Sequence, residues 1–385
     1  MNVLWIAPYP VNPNAHAAAW ITSLAKAMTS ETDINLTVLT ISAYQSEKEI
    51  AITRDGISIK SLKDASDRGN FLLLFAPRIL RIRRWLKQNE KRFDLIHIHG
   101  TEYLFHIAAK GLQTPSVVSI QGLLYLYHKA LPDDFSKRKL TWMVNGALES
   151  IGIKQSRNFI CRTSWDTTAI RMLNPTAKIY SAWEMIREEF YTEHNYNFSS
   201  ATNILFMGGT SHFKGIAEAL EVVSRLQNAH QITMTVIGGG TEQELCEIAK
   251  RRHLTNLKVG QNFFHLGNKN ALEICELMSK SFCLLHPSYI DNSPNSVCEA
   301  QVFGLPVVAS NVGGVSSLIE NEETGLLTKL EVEDIYTNVH TLLINRELSK
   351  KITRLAQEKA RERHAKDTVI ASYKDIYKHL LTSDI

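Results

Sequence analysis

Short, unbroken apolar runs alternate with longer stretches of helical period along most of this chain, which restricts it to an α/β fold with largely parallel sheets. The first run, Val3 to Ala7, is bounded by Pro8 and Pro10, as expected of a buried parallel strand leaving its sheet. From Ala17 to Met28 the residues Ala18, Ile21, Leu24, Ala25 and Met28 recur at helical spacing, and Leu36 to Ile41 reads as strand again. The series continues through strand Leu95 to His99, a helical stretch at Tyr103 to Lys110 and strand Ser116 to Ile120. Polar residues then dominate Thr192 to Thr202, which reads as a linker because little there can build a core. A second series follows, with strands expected from Asn203 towards Gly209, at Ile232 to Ile237, Leu257 to Phe264, Phe282 to His286 and Pro306 to Ser310. From Val332 onward the charged chain reads as helix throughout.

The 385 residues exceed what one core organises at about 150 per domain. The expected division is a Rossmann-like domain at 1–191, a second at 203–365, and a terminal helix at 366–385 packing back on the first. Two such lobes facing one another would share a cleft, with ligands beyond the carboxyl ends of the strands. An apolar fraction of 44% and a charged fraction of 21% exclude a long disordered chain. A net charge of +4 is too mild to argue for nucleic acid, which is not expected as a partner. The five cysteines show no zinc spacing and read as reduced core thiols. With neither a signal-like start nor an apolar run of about 18 residues, the chain is expected in the cytoplasm, spanning no membrane.

The chemistry concentrates at residues 286–315. Strand Phe282 to His286 enters a loop through Asp291, and Ser293-Pro294 offers an N-cap and first helical residue. The helix should run to Phe303, with Gly304 as its left-handed stop and Pro306 beyond. Its leading amides, Asn295, Ser296 and Val297, and its positive dipole end suit a pyrophosphate. Glu299 would repel phosphate but suits ribose hydroxyls, and Asp291 is a second acid eight residues earlier. A solvated Glu299 and a turn-forming Asp291 fit the same spacing.

The run His286 to Ala300, with Gly304-Leu305-Pro306-Val307-Val308-Ala309-Ser310-Asn311-Val312-Gly313-Gly314 and Thr324-Gly325-Leu326-Leu327, resembles retaining glycosyltransferase family 4 (group 1), whose members have the two-lobed GT-B fold. The resemblance covers residues 203–330 well and the first lobe in outline. It implies an enzyme that moves a sugar from a UDP or GDP sugar to a glycan or lipid-linked glycan, in polysaccharide biosynthesis. Glu299 would bind donor ribose hydroxyls, Asp291, replacing the usual Glu, would approach the transferred sugar, and the amides of 295–297 would hold phosphate. Phe206 to Gly215 is similar to the family's strand, glycine turn and Lys-Gly, so Gly209 and Lys214 would face the diphosphate. Gly208 and Gly209 stand where many relatives have an Arg, leaving Lys214 to neutralise the leaving group alone or with a cation such as Arg162. Gln121 replaces the usual strand-end His and can hydrogen-bond a sugar hydroxyl, but carries no proton at neutral pH. The loop Pro8 to Ala15 lacks the relatives' paired glycines, whose place is taken by Asn12-Pro13-Asn14-Ala15-His16. His99 could face a cleft or pack in the core, and Arg187 could be structural or acceptor-facing.

By the same analogy the acceptor hydroxyl attacks from the face the diphosphate leaves. No protein nucleophile is required, and stabilisation of the leaving group falls to Lys214 and the helix amino terminus. The sequence has no Asp-x-Asp, so transfer is expected to be metal-independent, with no cofactor beyond the donor. A nucleotide-sugar epimerase and a non-catalytic nucleotide-sugar binder fit many of these residues. Gly238-Gly239-Gly240 is a weak dinucleotide fingerprint. Between Arg78 and Phe93, Ile79, Ile82, Trp85, Leu86 and Phe93 share one helical face, with Arg83, Arg84, Lys87 and Lys91 on the other. That pattern suits either a lobe-surface helix or contact with an anionic membrane.

Overall fold

The computed structural model describes residues 1–12, 19–131, 136–192 and 201–382. The loop 13–16 and most of the polar stretch 192–202 lie outside them. The chain forms two units, Met1–Met185 with His364–Ile385, and Ile186–Arg363. The division falls at 185/186, so Arg187 and the short 3-10 turn Glu188–Tyr191 belong to the second unit.

The first unit carries an eight-stranded sheet: β1 Asn2–Ile6, β2 Asn35–Ser42, β3 Glu49–Arg54, β4 Ile57–Lys63, β5 Leu95–His99, β6 Ser116–Ser119, β7 Asn158–Cys161 and β8 Lys178–Ser181, in the order β3-β4-β2-β1-β5-β6-β7-β8. Every pair is parallel except β3–β4, a hairpin closed at Asp55-Gly56, both left-handed. Val3, Leu4, Trp5 and Ile6 of β1 are buried because helices cover both faces of the sheet. One cover is the terminal helix Lys366–Thr382, which packs Val369, Ile370, Tyr373, Ile376, Tyr377 and Leu380 on that sheet. The Tyr377 hydroxyl accepts from Trp5 Nε1 at 3.0 Å and lies 2.7 Å from His97 Nδ1, tying the last helix to the first strand. On the opposite face the helix Ala76–Asn89 buries Ile82, Trp85 and Leu86. Its apolar stripe is core, as the lobe-surface reading of this helix expects.

The second unit has a six-stranded, all-parallel sheet: β9 Asn203–Met207, β10 Thr233–Ile237, β11 Phe263–His265, β12 Ser281–His286, β13 Val307–Ser310 and β14 Leu326–Thr328, in the order β11-β10-β9-β12-β13-β14. The chain builds outward from β9 through β10 to β11, then crosses back to β12 on the other side of β9. This reversal places a crevice beyond the carboxyl ends of β9 and β12. The strand expected over 257–264 shrinks to β11, because Lys258 to Asn262 form a turn with Gly260 at φ +73°. The helix expected over 103–110 shortens to Phe105–Ala108 behind a left-handed Leu104. The helical run from Val332 breaks at Asn345 and His364 into Val332–Ile344, Arg346–Arg363 and Lys366–Thr382. No helix among the described residues is long and apolar enough to cross a membrane.

Candidate functional site

The crevice beyond β9 and β12 is walled by the two loops that leave those strands. The β9 loop carries Gly208 to Gly215 and the β12 loop Pro287 to Pro294. The two are stitched together: Tyr289 N–H donates to the Phe213 carbonyl at 2.8 Å, and Ser288 Oγ donates to the same oxygen at 3.1 Å. Gly215 takes φ +77°, and a Cβ there would lie 1.9 Å from the Pro287 carbonyl oxygen. Only glycine allows that approach.

Within this frame Lys214 Nζ sits 2.5 Å from Asp291 Oδ2, and His286 Nε2 lies 3.1 Å from the same oxygen. Ser296 Oγ, in the first turn of the following helix, is 3.5 Å from His286 Nδ1. Burial alone would raise the Asp291 carboxyl, but the Lys214 ammonium and the His286 hydrogen bond outweigh it and hold it well below the usual carboxylate range. Burial, opposed by the bond to Asp291, lowers His286. The Asp291 carbonyl accepts from Gly314 N–H at 2.9 Å, and Gly313, at φ +55°, could place a Cβ only 1.9 Å from that oxygen. The glycine pair after β13 thus fixes the acid from behind.

The helix runs Asn295–Phe303, buried from Val297 to Phe303, and stops at Gly304 with φ +97°. Its N-cap is Pro294, not Ser293, with no side-chain cap bond. The Val297 N–H donates to the Pro294 carbonyl at 3.0 Å, so that amide is committed and Asn295 and Ser296 lead the helix. Glu299 is buried on the same helix, and its Oε1 lies 2.6 Å from Arg187 Nη2. Burial raises the Glu299 carboxyl, against the pull of Arg187. The guanidinium also sits 5.0 Å over the Phe190 ring. Neither open reading of Arg187 foresaw its pairing with Glu299, which 112 positions of sequence conceal. His286 was likewise passed over, although its place at a strand end five residues before Asp291 was a usable signal.

Gly209 N–H donates to Ile237 O at 2.9 Å, so its amide belongs to the sheet edge. Its left-handed φ of +56° lets the β9 loop meet the β10 loop, where a Cβ would lie 2.0 Å from Gly239 O. The same packing accounts for Gly238 and Gly240, where a Cβ would lie 2.8 Å from Gly209 N and 2.0 Å from Thr210 Oγ1, and Thr241 then caps the helix Glu242–Arg251.

In the first unit, Gln121 hydrogen-bonds Glu184. Arg162 Nη2 lies 2.8 Å from Glu184 Oε1 and donates to Ile120 O at 2.8 Å, so this cation is engaged within its own unit. His99 is buried against Trp5, ring centroids 4.4 Å apart, and burial pushes its pKa well down. Cys161, Cys275, Cys283 and Cys298 are buried free thiols and Cys246 is half-buried.

The model of one known family, glycosyl transferases group 1, matches residues 192–359, almost the whole of the second unit. The second unit is therefore similar to group 1 glycosyl transferases along nearly its whole length. Among curated proteins this chain is 27% identical over 124 residues to glycogen synthase of Mycobacterium tuberculosis, covering 32% of this chain and 29% of that one. It is 23% identical over 267 residues to the Escherichia coli UDP-Gal:alpha-D-GlcNAc-diphosphoundecaprenol alpha-1,3-galactosyltransferase, covering 65% of this chain and 66% of that one. The chain thus spans less than two thirds of either relative's length. Sucrose-phosphate synthase from Thermosynechococcus elongatus shares the GT-B fold, with a TM-score of 0.80 at 14% identity over 99% of both chains. The second unit thus brings Lys214, His286, Asp291 and Ser296 into one cluster, with Glu299 of the adjoining helix paired separately with Arg187.

Proposed function

We propose that this chain transfers a glycosyl group from a uridine or guanosine diphosphate sugar to an acceptor hydroxyl with retention of configuration. The observation that carries the reading is the Lys214–Asp291–His286 cluster at the switch point of the second unit, with Glu299 one helical turn beyond the leading amides. Lys214, held by Asp291, supplies a point positive charge for the diphosphate, and the helix amino terminus supplies partial charge without reorganisation. Glu299, oriented by Arg187, takes the ribose hydroxyls, and its burial strengthens those hydrogen bonds. In the transfer the bond from the anomeric carbon to the diphosphate oxygen breaks and the bond to the acceptor oxygen forms on the same face. The acceptor's proton passes to the leaving diphosphate. Gln121 orients a sugar hydroxyl through its amide. Because Lys214 already provides the positive charge, the reaction needs no divalent cation.

The acceptor class is a glycan or lipid-linked glycan of polysaccharide assembly, supported by the diphosphoundecaprenol-linked acceptor named for the E. coli relative. The test is a screen of UDP and GDP sugars for release of nucleoside diphosphate, with and without EDTA. One donor class should be consumed, at a rate unchanged by EDTA and raised by acceptor. Tight binding of every donor without consumption would replace the transferase by a binding protein, and consumption indifferent to acceptor would favour epimerisation.

A further inference from the structure

The first unit exposes leucine where a folded chain usually hides it. Between the helices Asp67–Leu72 and Ala76–Asn89 the chain turns at Leu74 and Phe75, both left-handed at φ +48° and +61°. Two successive non-glycine residues in that region are costly and persist only where surrounding contacts impose them. Those contacts lie underneath. Asp64 Oδ2 accepts from Arg78 Nε at 2.9 Å and from Asn70 Nδ2 at 3.0 Å, and the Arg78 guanidinium lies 5.6 Å from the centre of the buried Phe75 ring. The anchored turn holds Leu72, Leu73 and Leu74 outward, 67%, 60% and 58% exposed, and Leu80 on the next helical turn is 61% exposed.

Charge surrounds these leucines with one sign. From Arg68 to Asn89 the sequence has six cations and no acid. Arg78 is paired with Asp64, and Arg83 donates to the carbonyls of Ala108 and Lys110. Arg68, Arg81, Arg84 and Lys87 are exposed. At about 100° per residue, Leu80, Arg81, Arg84 and Lys87 fall on one solvent face of the helix, opposite the buried Ile82, Trp85 and Leu86.

We propose that the leucine turn 72–74, with Leu80 and the face of Arg81, Arg84 and Lys87, docks the first unit on an anionic lipid bilayer. Apolar side chains ringed by cations match both layers of such a surface, the acyl boundary and the headgroups. A nucleic-acid backbone would satisfy the cations and leave the leucines in water. The proposal goes beyond the donor chemistry and would bring the chain to lipid-linked acceptors.

The test is flotation of the full-length protein with vesicles of phosphatidylglycerol in phosphatidylcholine, and of phosphatidylcholine alone. Wild type should float with the anionic vesicles at low salt, be released at about 0.5 M salt, and ignore the neutral ones. Leu72→Ser/Leu73→Ser/Leu74→Ser, which leaves the net charge unchanged, should weaken binding more than about tenfold. Arg81→Gln/Arg84→Gln/Lys87→Gln should weaken it on the order of a hundredfold. Both should melt like wild type, and should the triple leucine variant not fold, Leu73→Glu repeats the test at a single exposed position. Failure of wild type to bind anionic vesicles, or undiminished binding by the leucine variant, overturns the proposal. Overturning it equally would be a dimer or an acidic-peptide complex that needs the leucines while vesicles are ignored. Nucleotide binding by the same preparations reports the donor site separately.

Discussion

Asp291 is the residue whose position most changes the chemistry expected of it. Its Oδ2 is shared by Lys214 and His286, so the acid orients the lysine as well as lining the crevice. Lys214→Met should therefore lower kcat/KM on the order of a hundredfold or more in a donor-turnover assay, as loss of a preorganised charge does. Loss of less than about threefold would move the diphosphate away from Lys214. Glu299 gives a pH signature. Burial raises its carboxyl and Arg187 opposes the rise, so Arg187→Leu should push it further up. If the ionised form holds ribose, nucleotide affinity should climb with rising pH, and in that variant the climb should lie at higher pH than in wild type, as read by titration calorimetry. In the first unit burial raises Glu149 to about 8, although Thr101 and the Tyr125 amide hydrogen-bond it. A folded pKa above the unfolded value makes this group's stability complete at low pH and lost as pH rises through the folded pKa. Unfolding free energy in urea should accordingly fall by about 1.4 kcal/mol between pH 7 and pH 9, and Glu149→Gln should flatten that slope.

At the scale of elements, the glycine turns hold the site. Gly313→Ala demands a Cβ 1.9 Å from the Asp291 carbonyl at a left-handed φ, so the β12 and β13 loops must part. A loss of about 2 kcal/mol or more in stability is expected, with a larger proportional loss of donor turnover. Much of this layer was legible in sequence, because unbroken apolar runs announce fully buried strands and Gly304 announces a helix stop. The β3–β4 hairpin was not foreseen, although Asp55-Gly56 is a strong turn signal: its β3 half, with every other residue exposed, is not a buried run. Only the end of the strand expected over 257–264 forms, because Lys258 to Asn262 make a turn. Spacing left the roles of Asp291 and Glu299 open and the family resemblance singled them out; their partners were not legible, since Arg187 reaches Glu299 and Lys214 reaches Asp291 only through the fold.

Across the whole molecule, the last helix completes the first unit. Tyr377→Phe would strip buried Trp5 and His97 of a shared partner 280 or more residues away, costing about 1–3 kcal/mol. The loss should appear in the unfolding of the first unit, followed by tryptophan fluorescence because all six tryptophans lie there, with nucleotide binding by the second unit unchanged. The assignment of function rests on that second unit, where sheet reversal, helix amino terminus and family match coincide. Its most direct test is equilibrium binding of UDP and GDP to wild type, Glu299→Ala and Lys214→Ala. Wild type should bind one of the two, Glu299→Ala should weaken that binding about tenfold or more, and Lys214→Ala should weaken the diphosphate while sparing the free nucleoside. Absence of binding to both nucleotides, or equal affinity in all three proteins, would contradict that assignment.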